Sequence, residues 1–211
     1  MFQAVIWDFG GVFTSSPFEA FARYERERGL PDNLIRQINS ANPLENAWAR
    51  FERSELDLAA FDVEFAKEAR ALGHKVPGKD IIALLAGDFR PDVIEALRRI
   101  KRADYKTGCI TNNVPSNQTG SGDGRSLYAR EIMEMFDHVI ESSKIGIRKP
   151  NPRIYEMMCE TLGVVPEACV YLNDLGMNLK PAKAMGMATI KVESGSQAIA
   201  ELEKALGIKL A

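Results

Sequence analysis

The chain has 211 residues, of which 45% are hydrophobic and 27% charged, and its 27 basic and 29 acidic residues nearly cancel. This composition is ordinary for a soluble globular protein. The length fits one domain with a sizeable insertion, or two small domains. Neither sign of charge forms a long run, so we expect no nucleic-acid or anionic-membrane partner. No apolar stretch approaches the ~18 residues that a membrane span requires.

The N-terminal segment and the cysteines indicate a compartment. The segment MFQAVIWDFG lacks the basic start and the long apolar core of a signal peptide. Cys109, Cys159 and Cys169 are an odd number without metal-ligand spacing, which predicts reduced and mostly buried thiols. We therefore expect a cytoplasmic protein.

The predicted elements begin with a short apolar strand, AVIW at 4–7. Residues 17–88 then contain no convincing strand, and apolar residues recur there at helical spacing. Successive amphipathic helices are marked by Phe18, Phe21 and Ala22; by Leu34, Ile35 and Ile38; by Trp48 and Phe51; and by Leu58, Phe61 and Phe65. We expect a helical segment inserted after the first strand, with most of its charged residues on a solvated outer face.

From residue 91 onward, helices and strands alternate. Four further apolar runs predict strands: GCIT (108–111), HVIE (138–141), CVYL (169–172) and ATIKV (188–192). Helices are predicted at 91–104, 151–163 and 179–187, and SNQTGSGDG at 116–124 predicts a surface loop. The strand runs lack polar alternation, which is typical of parallel strands covered on both faces. The expected fold class is therefore α/β, a doubly wound Rossmann-like parallel sheet with an inserted α-helical segment.

Polar residues follow four of the five predicted strands. Asp8 follows the first strand, Thr111 ends the second, Lys149 lies beyond the third, and Asn173-Asp174 follows the fourth. Each alone could be a turn, a helix cap or a surface lysine. In an open α/β sheet, however, ligands bind beyond the carboxyl ends of the strands. The four polar exits together predict a ligand site at this edge.

The motifs at these exits resemble those of the haloacid dehalogenase-like (HAD) hydrolase superfamily, and the resemblance covers the whole chain. They are DFGGV, TNN, the lysine of KIGIRKPNPRIY, and YLNDLGMNLKPAKAMGM. The branch that looks most similar includes the N-terminal phosphatase domain of soluble epoxide hydrolase. The resemblance implies a HAD-like core domain of residues 1–16 and 89–211, and a helical cap domain of residues 17–88.

The resemblance also implies a Mg²⁺-dependent phosphatase that acts on small phosphate esters. Asp8 would be the nucleophile that forms an aspartyl-phosphate intermediate. Lys149 would add a fixed positive charge to the Asp8 carboxylate and the transferring group. Thr111 and the backbone amide of Asn112 would bind phosphate oxygens.

Mg²⁺ would be held by the Asp8 carboxylate, the Gly10 backbone carbonyl, Asp174 and water, an oxygen-only set that suits a hard cation. Such phosphatases usually carry a second Asp, the general acid and base, where this chain has Gly10. The absence of that Asp typically lowers the rate by ~10²–10⁴-fold and favours substrates with good leaving groups. A water molecule or a nearby hydroxyl could partly replace it; the candidates are Thr14, Ser15 and Ser16.

Two further features of these motifs affect the expected metal site. Asn173 stands where an acidic residue is more usual beside Asp174, so one negative charge is missing and Mg²⁺ should bind more weakly. The glycines at 10 and 11 let the backbone approach metal and phosphate closely and adopt dihedrals that are barred to other residues, or they could serve only to make a tight turn.

Two other functions remain open from the sequence. A 2-haloacid dehalogenase would use Asp8 to attack carbon without a metal or a second Asp, although Asp174 does not fit that chemistry. A fold retained for binding a phosphorylated ligand or a protein partner would fit Gly10 and Asn173, but not the intact Asp8, Lys149 and Asp174.

Overall fold

The computed structural model describes residues 1–114 and 124–210. Its strands are β1 Ala4–Trp7, β2 Lys106–Thr111, β3 His138–Glu141, β4 Cys169–Asn173 and β5 Ala188–Lys191. All pair in parallel, in the order β3-β2-β1-β4-β5. The five predicted strands are confirmed, although β2 begins two residues earlier than expected, β4 is one residue longer and β5 ends one residue sooner.

The helices of the described residues occupy the inserted segment and the connections between strands. They are α1 Pro17–Glu27, α2 Leu34–Ala41, α3 Ala47–Glu52, α4 Leu58–Ala71, α5 Gly78–Ala83, α6 Pro91–Arg102, α7 Gly124–Met133, α8 Ser142–Ile145, α9 Pro152–Leu162, α10 Gly176–Ala184 and α11 Gly195–Leu206. None of these helices combines the length and the hydropathy needed to span a bilayer.

Helices cover both faces of the sheet. On one face, Trp7 of β1 belongs to a buried cluster with Leu97 of α6 and Leu202 of α11. On the other face, Ile6 packs in a second cluster with Met158 of α9. Because alternate residues of β1 point to opposite faces, the apolar run AVIW is buried throughout. The doubly wound α/β fold is confirmed.

Residues 17–88 are helical, as predicted, and α1–α5 share a third hydrophobic cluster. Phe51, Phe61 and Phe65 are fully buried in it. Two charged side chains do not lie on the solvated face, because Glu25 and Glu52 are buried. Both carboxylates have hydrogen-bond donors, which is the usual condition for burying a charge.

The two chain segments that enter and leave the helical insertion pair with each other. Thr14 and Phe89 form an isolated antiparallel bridge. The Ser15 amide donates to the Asp88 carbonyl at 2.7 Å, and the Arg90 amide to the Phe13 carbonyl at 2.8 Å. The predicted boundaries of the cap domain, 16/17 and 88/89, lie beside this pairing. The division into two domains stays a prediction.

Two helix predictions need correction, and a helix with a clear sequence signal was not predicted. α10 begins at Gly176 rather than at 179, because the Asn173 side chain accepts the Leu175 amide in a turn that leads into the helix. α6 ends at Arg102, and Asp104 beyond it has a positive φ of 59°. α11 was not predicted, although Ser194 and Gln197 form a capping box at its start.

The remaining predictions outside the site concern a loop and the cysteines. Of the loop predicted at 116–124, residues 116–123 lie outside the described residues, and Gly124 begins α7. All three cysteines are buried, as predicted.

Candidate active site

The candidate site lies where the chain reverses its direction across the sheet. β1 is central, the chain proceeds from it to β2 and β3 on one side, and it then crosses to β4 and β5 on the other. Such a switch point leaves a crevice at the carboxyl ends of the strands, which is the usual ligand site of open α/β sheets. Asp8 follows β1, Asn173 ends β4, and Asp174 comes next.

Asp8 forms a buried ion pair with Lys149. The Lys149 ammonium lies 2.6 Å from Oδ1 of Asp8, and the Lys149 side chain has no solvent exposure. The ammonium also donates to the Ile110 carbonyl at 2.6 Å, and the Phe9 amide donates to Asp8 Oδ1 at 2.7 Å. Because a charge is costly to bury without partners, these contacts hold the lysine beside the carboxylate. The sequence placed both residues at this edge, and the structure brings them together.

Asn112 fixes the backbone at Lys149. The Lys149 amide donates to Oδ1 of Asn112 at 2.8 Å, and Nδ2 of Asn112 donates to the Lys149 carbonyl at 3.0 Å. The Asn112 side chain is therefore committed to positioning Lys149, which leaves its backbone amide as the group predicted to bind phosphate. Thr111, the other predicted phosphate ligand, ends β2 and is 5% exposed.

Asn173 donates to Oδ2 of Asp8, the second oxygen of that carboxylate. Its Nδ2 lies 2.7 Å from Asp8 Oδ2 and 2.8 Å from the Tyr171 hydroxyl. An ionised carboxylate at this position could only accept hydrogen bonds, so the amide changes the role of the residue. Together with Lys149, Asn173 fixes the orientation of Asp8 through both of its oxygens.

A buried polar group behind Asn173 was not predicted. Tyr155 donates through its hydroxyl to the Asn178 carbonyl at 2.7 Å, and Nδ2 of Asn178 lies 3.4 Å from Asn173 Oδ1. Tyr155 and Tyr171 are fully buried within apolar elements. The one available signal was a pair of tyrosines at positions that the periodicity assigns to the core, since a buried hydroxyl needs a partner.

The two glycines after Asp8 differ in what the structure requires of them. Gly11 has φ +74°, and a Cβ there would collide with the carboxylate of Asp174. Its carbonyl accepts from Arg90 Nη1 at 3.2 Å. At Gly10, by contrast, no heavy atom of the described residues beyond its chain neighbours lies within 4 Å of an added Cβ. The expected unusual dihedral therefore holds for Gly11 and not for Gly10, whereas the expected close approach to metal and phosphate stays a prediction.

Asp174 carries an unfavourable negative charge. Burial, followed by the negative charge of Asp8, raises the pKa of Asp174 to about 6, and Lys149 opposes this increase. The carboxylates of Asp8 and Asp174 repel each other beside a glycine backbone. Their oxygens are ligands that suit a hard cation, and such a cation would offset the repulsion. In residues 1–114 and 124–210, however, no group of three or more His, Cys, Asp or Glu side chains is arranged to hold a metal.

The three hydroxyls considered as replacements for an acid at position 10 are not equally available. Thr14 Oγ1 accepts from the Gly11 amide at 3.3 Å, and Ser15 Oγ accepts from the Asp88 amide at 2.9 Å. Ser16 Oγ is buried close to the Asp174 carboxyl, but it forms no hydrogen bond of standard geometry within the described part of the chain. None of the three occupies the open space beside Gly10.

The fold and the site define a class of protein. It is an α/β protein with a parallel sheet, and a buried Asp–Lys ion pair lies at the switch point, beyond the carboxyl ends of the strands. Comparison with known families assigns it further, because the haloacid dehalogenase-like hydrolase family matches residues 2–186. The chain belongs to this family.

Three curated proteins show how the similarity is distributed. The chain is 31% identical over 99% of its length to mouse acyl-CoA dehydrogenase family member 10, and 30% identical over 99% to bifunctional epoxide hydrolase 2 of Sus scrofa. It spans only 20% and 39% of those two proteins. It is 29% identical over 92% of its length to Phosphatase MT3486 of Mycobacterium tuberculosis, of which it spans 89%.

Solved structures agree with the fold. A HAD-like family hydrolase from Porphyromonas gingivalis superposes with a TM-score of 0.67 at 20% identity, covering 99% of this chain and 100% of that one. A HAD family enzyme from Bacteroides thetaiotaomicron, solved in complex with magnesium and inorganic phosphate, gives 0.59 at 18% identity, with coverages of 92% and 96%. The HAD-like fold is thus shown, and the family and its phosphatase relatives support an enzyme.

Proposed function

We propose that this protein is a Mg²⁺-dependent phosphatase of small phosphate esters, with Asp8 as the nucleophile. The observation that carries the proposal is the buried Lys149 ammonium 2.6 Å from the Asp8 carboxylate, at the edge of the sheet where Asp174 also lies. The similarity to Phosphatase MT3486, which the chain nearly spans, supports phosphate esters as the substrate class.

In the proposed reaction, a carboxylate oxygen of Asp8 forms a bond to phosphorus. The bond from phosphorus to the leaving-group oxygen breaks, and its electron pair stays on that oxygen. Lys149 offsets the negative charge of the transferring group, and Asn173 keeps the carboxylate in one orientation. Water then attacks the aspartyl-phosphate, which releases inorganic phosphate and restores Asp8.

The residues present fit a magnesium ion. Asp8, Asp174 and the Gly10 carbonyl supply oxygen ligands only. Burial and, second, the negative charge of Asp8 raise the pKa of Asp174, and a cation would offset the repulsion between the two carboxylates. Mg²⁺, when bound, would supply charge neutralisation and orient the phosphoryl group. The magnesium and phosphate held by the B. thetaiotaomicron enzyme support this choice of metal.

The open position beside Gly10 sets the expected substrate preference. No described side chain fills the place where an acid would protonate the leaving group. A leaving group of low pKa needs no such proton, whereas an alkyl alkoxide does. We therefore propose that aryl and acyl phosphates are better substrates than alkyl phosphates.

A panel of phosphoesters tests the proposal. Phosphate release is measured with and without Mg²⁺ for the native protein, for Asp8→Asn, and for Asp32→Asn, which removes an exposed carboxylate from the α1–α2 connection. We expect Mg²⁺-dependent release that Asp8→Asn abolishes and Asp32→Asn preserves. Inactivity of the native protein on every ester, or activity that survives Asp8→Asn, would contradict it.

The same preparations separate the alternatives. Halide release from chloroacetate would favour a 2-haloacid dehalogenase, and tight binding of beryllofluoride without any turnover would favour a binding protein. The expected cytoplasmic location, and the expectation that nucleic acid and membranes are not partners, stay predictions from the sequence.

A further inference from the structure

Arg148 and Lys149 are consecutive residues, and each forms a buried ion pair with a different partner. Arg148 Nε lies 2.6 Å from Oε2 of Glu52 at the end of α3, with side-chain exposures of 15% and 7%. Lys149 Nζ lies 2.6 Å from Asp8 Oδ1. A single segment of the core thus connects a carboxylate of the helical insertion with the carboxylate proposed to attack phosphorus.

The Glu52 end of this connection is held by several donors. Oε1 of Glu52 accepts from the indole nitrogen of Trp48 at 2.8 Å, and its backbone carbonyl accepts from the Ser142 hydroxyl at 2.7 Å. With Arg148 on Oε2, each carboxylate oxygen of Glu52 has a donor. The charge is buried but fully partnered, as an ionised group in the interior requires.

Two more contacts fix α3 and its flanks against the same core segment. Arg148 Nη1 donates to the Pro43 carbonyl at 2.8 Å, and the Ser54 hydroxyl donates to the Ser143 carbonyl at 2.6 Å. These contacts lie on both sides of α3 in the sequence. The Glu52–Arg148 pair is therefore the charged centre of a polar joint between the insertion and the segment that carries Lys149.

The charges of this joint and of the active site act on one another. Burial raises the pKa of Glu52, and the positive charges of Arg148 and, more weakly, Lys149 oppose that increase. If Arg148 were absent, Lys149 would be the remaining cation that acts on Glu52. Its ammonium is already shared between Asp8 and the Ile110 carbonyl, so an unpaired Glu52 that stays ionised would offset positive charge that the phosphate needs.

We infer that Arg148 is a positioning residue for phosphate binding: by pairing with Glu52 it preserves the positive charge of Lys149 at Asp8, and it holds α3 beside that edge of the sheet. Arg148 is not assigned contact with the phosphate itself. The inference rests on the proposed function, because it takes phosphate as the ligand of the Asp8 site.

Four variants separate this electrostatic role from a purely structural one. The dissociation constant of inorganic phosphate is measured by calorimetry with Mg²⁺ for Arg148→Met, Glu52→Gln, the double variant, and Arg130→Met. The last removes the α7 arginine of an exposed ion pair with Glu134, which follows that helix. Thermal unfolding of each variant is recorded in parallel, since an unpaired buried Glu52 could prevent folding of Arg148→Met.

The sign of each change is fixed by charge. We expect Arg148→Met to weaken phosphate binding by about tenfold, the size of one poorly screened charge in a partly buried site. Glu52→Gln should bind phosphate at least as tightly as the native protein. The double variant, in which the buried pair is neutral, should bind phosphate with a dissociation constant within about threefold of the native value. Arg130→Met should bind phosphate as the native protein does.

Three results would overturn the inference. The first is Arg148→Met that folds and binds phosphate as tightly as the native protein. The second is a double variant that folds but binds as weakly as Arg148→Met, which would make the role of Arg148 steric. The third result applies if Arg148→Met does not fold: it is that Glu52→Gln binds phosphate more weakly than the native protein. Native protein that neither binds phosphate nor hydrolyses any ester would instead reject the proposed function itself, and the inference with it.

Discussion

At the scale of single residues, Gly10 and Gly11 are adjacent but tolerate a side chain very differently. Gly11 has a positive φ and lies against the Asp174 carboxylate, so any side chain there is both strained and obstructed. Gly10 has no neighbour among residues 1–114 and 124–210 within 4 Å of an added Cβ, apart from its chain neighbours. The missing acid at position 10 is therefore a difference in chemistry, because the backbone and the packing would accept an aspartate.

Gly10→Asp should increase phosphate release. A positioned carboxyl group can protonate the leaving group and then activate water, effects typically worth ~10²–10⁴ in rate. We expect an increase of at least about tenfold, largest for alkyl phosphates, which depend most on an acid. Steady-state rates on matched aryl and alkyl esters measure it.

Gly11→Ala is the matched control for that substitution. It should lower both the melting temperature and the activity, because of the strain at φ +74° and the collision with Asp174. If Gly10→Asp leaves the rates of both ester classes unchanged in a folded protein, the missing acid does not limit this enzyme.

The pKa of Asp174 predicts a pH dependence of metal binding. Its folded pKa is about 6, above the ordinary 3.8, so the folded chain binds this proton more tightly than the unfolded chain. Without metal, the contribution of Asp174 to stability is therefore lost as pH rises from about 4 through about 6. Mg²⁺ should restore it above pH 6, where the carboxylate is ionised.

Melting curves with and without Mg²⁺ at pH 5 and pH 7.5 test this. The increase in melting temperature on adding Mg²⁺ should be larger at pH 7.5, because at pH 5 the cation competes with a proton. Asp174→Asn should remove most of the increase at both pH values. An equal increase at the two pH values, or one that persists in the variant, would contradict the assignment of Asp174 as a metal ligand.

At the scale of elements, Glu25 of α1 supports the start of α2. Its carboxylate oxygens accept from the Asn33 amide at 2.9 Å and from the Ile35 amide at 2.8 Å, and the residue is 2% exposed. The first amides of a helix have no partners within it, and a negative charge there is favourable. α2 thus depends on a side chain of the preceding helix.

Glu25→Ala should lower the free energy of unfolding by about 1–3 kcal/mol, because it leaves two amides without their acceptor and opens space in the core. Urea unfolding measures the loss. Glu25→Gln keeps one acceptor oxygen and should lose less. If the alanine variant is as stable as the native protein, this carboxylate does not stabilise α2.

A feature could be predicted when its signal lies within a short stretch of sequence, and could not when it depends on residues far apart in the chain. The strand AVIW was predictable because a strand buried on both faces is apolar at every position. The carboxyl ends of parallel strands meet at one edge, so Asp8 and Asp174 could be placed together. The Glu52–Arg148 pair could not, because its partners are 96 residues apart and Glu52 resembles other charged residues of amphipathic helices.

At the scale of the whole molecule, three hydrophobic clusters organise the chain. Two lie on the faces of the sheet, and the third lies within the helical insertion. The segments that enter and leave the insertion pair with each other at Thr14 and Phe89, and the insertion contacts the segment that carries Lys149 through the polar joint at Glu52 and Arg148. The residues proposed to bind phosphate and metal lie at the carboxyl edge of the sheet, beside the segment that this joint connects to the insertion.

The central claim is that Asp8 accepts a phosphoryl group, and the most direct test is the intact mass of the protein after rapid acid quenching from an aryl phosphate and Mg²⁺. We predict one added phosphoryl group, mapped to the Asp8 peptide and absent from Asp8→Asn. The fraction modified should fall in Gly10→Asp, where the added carboxyl group can activate water. An unmodified mass together with phosphate release that persists in Asp8→Asn would contradict the account.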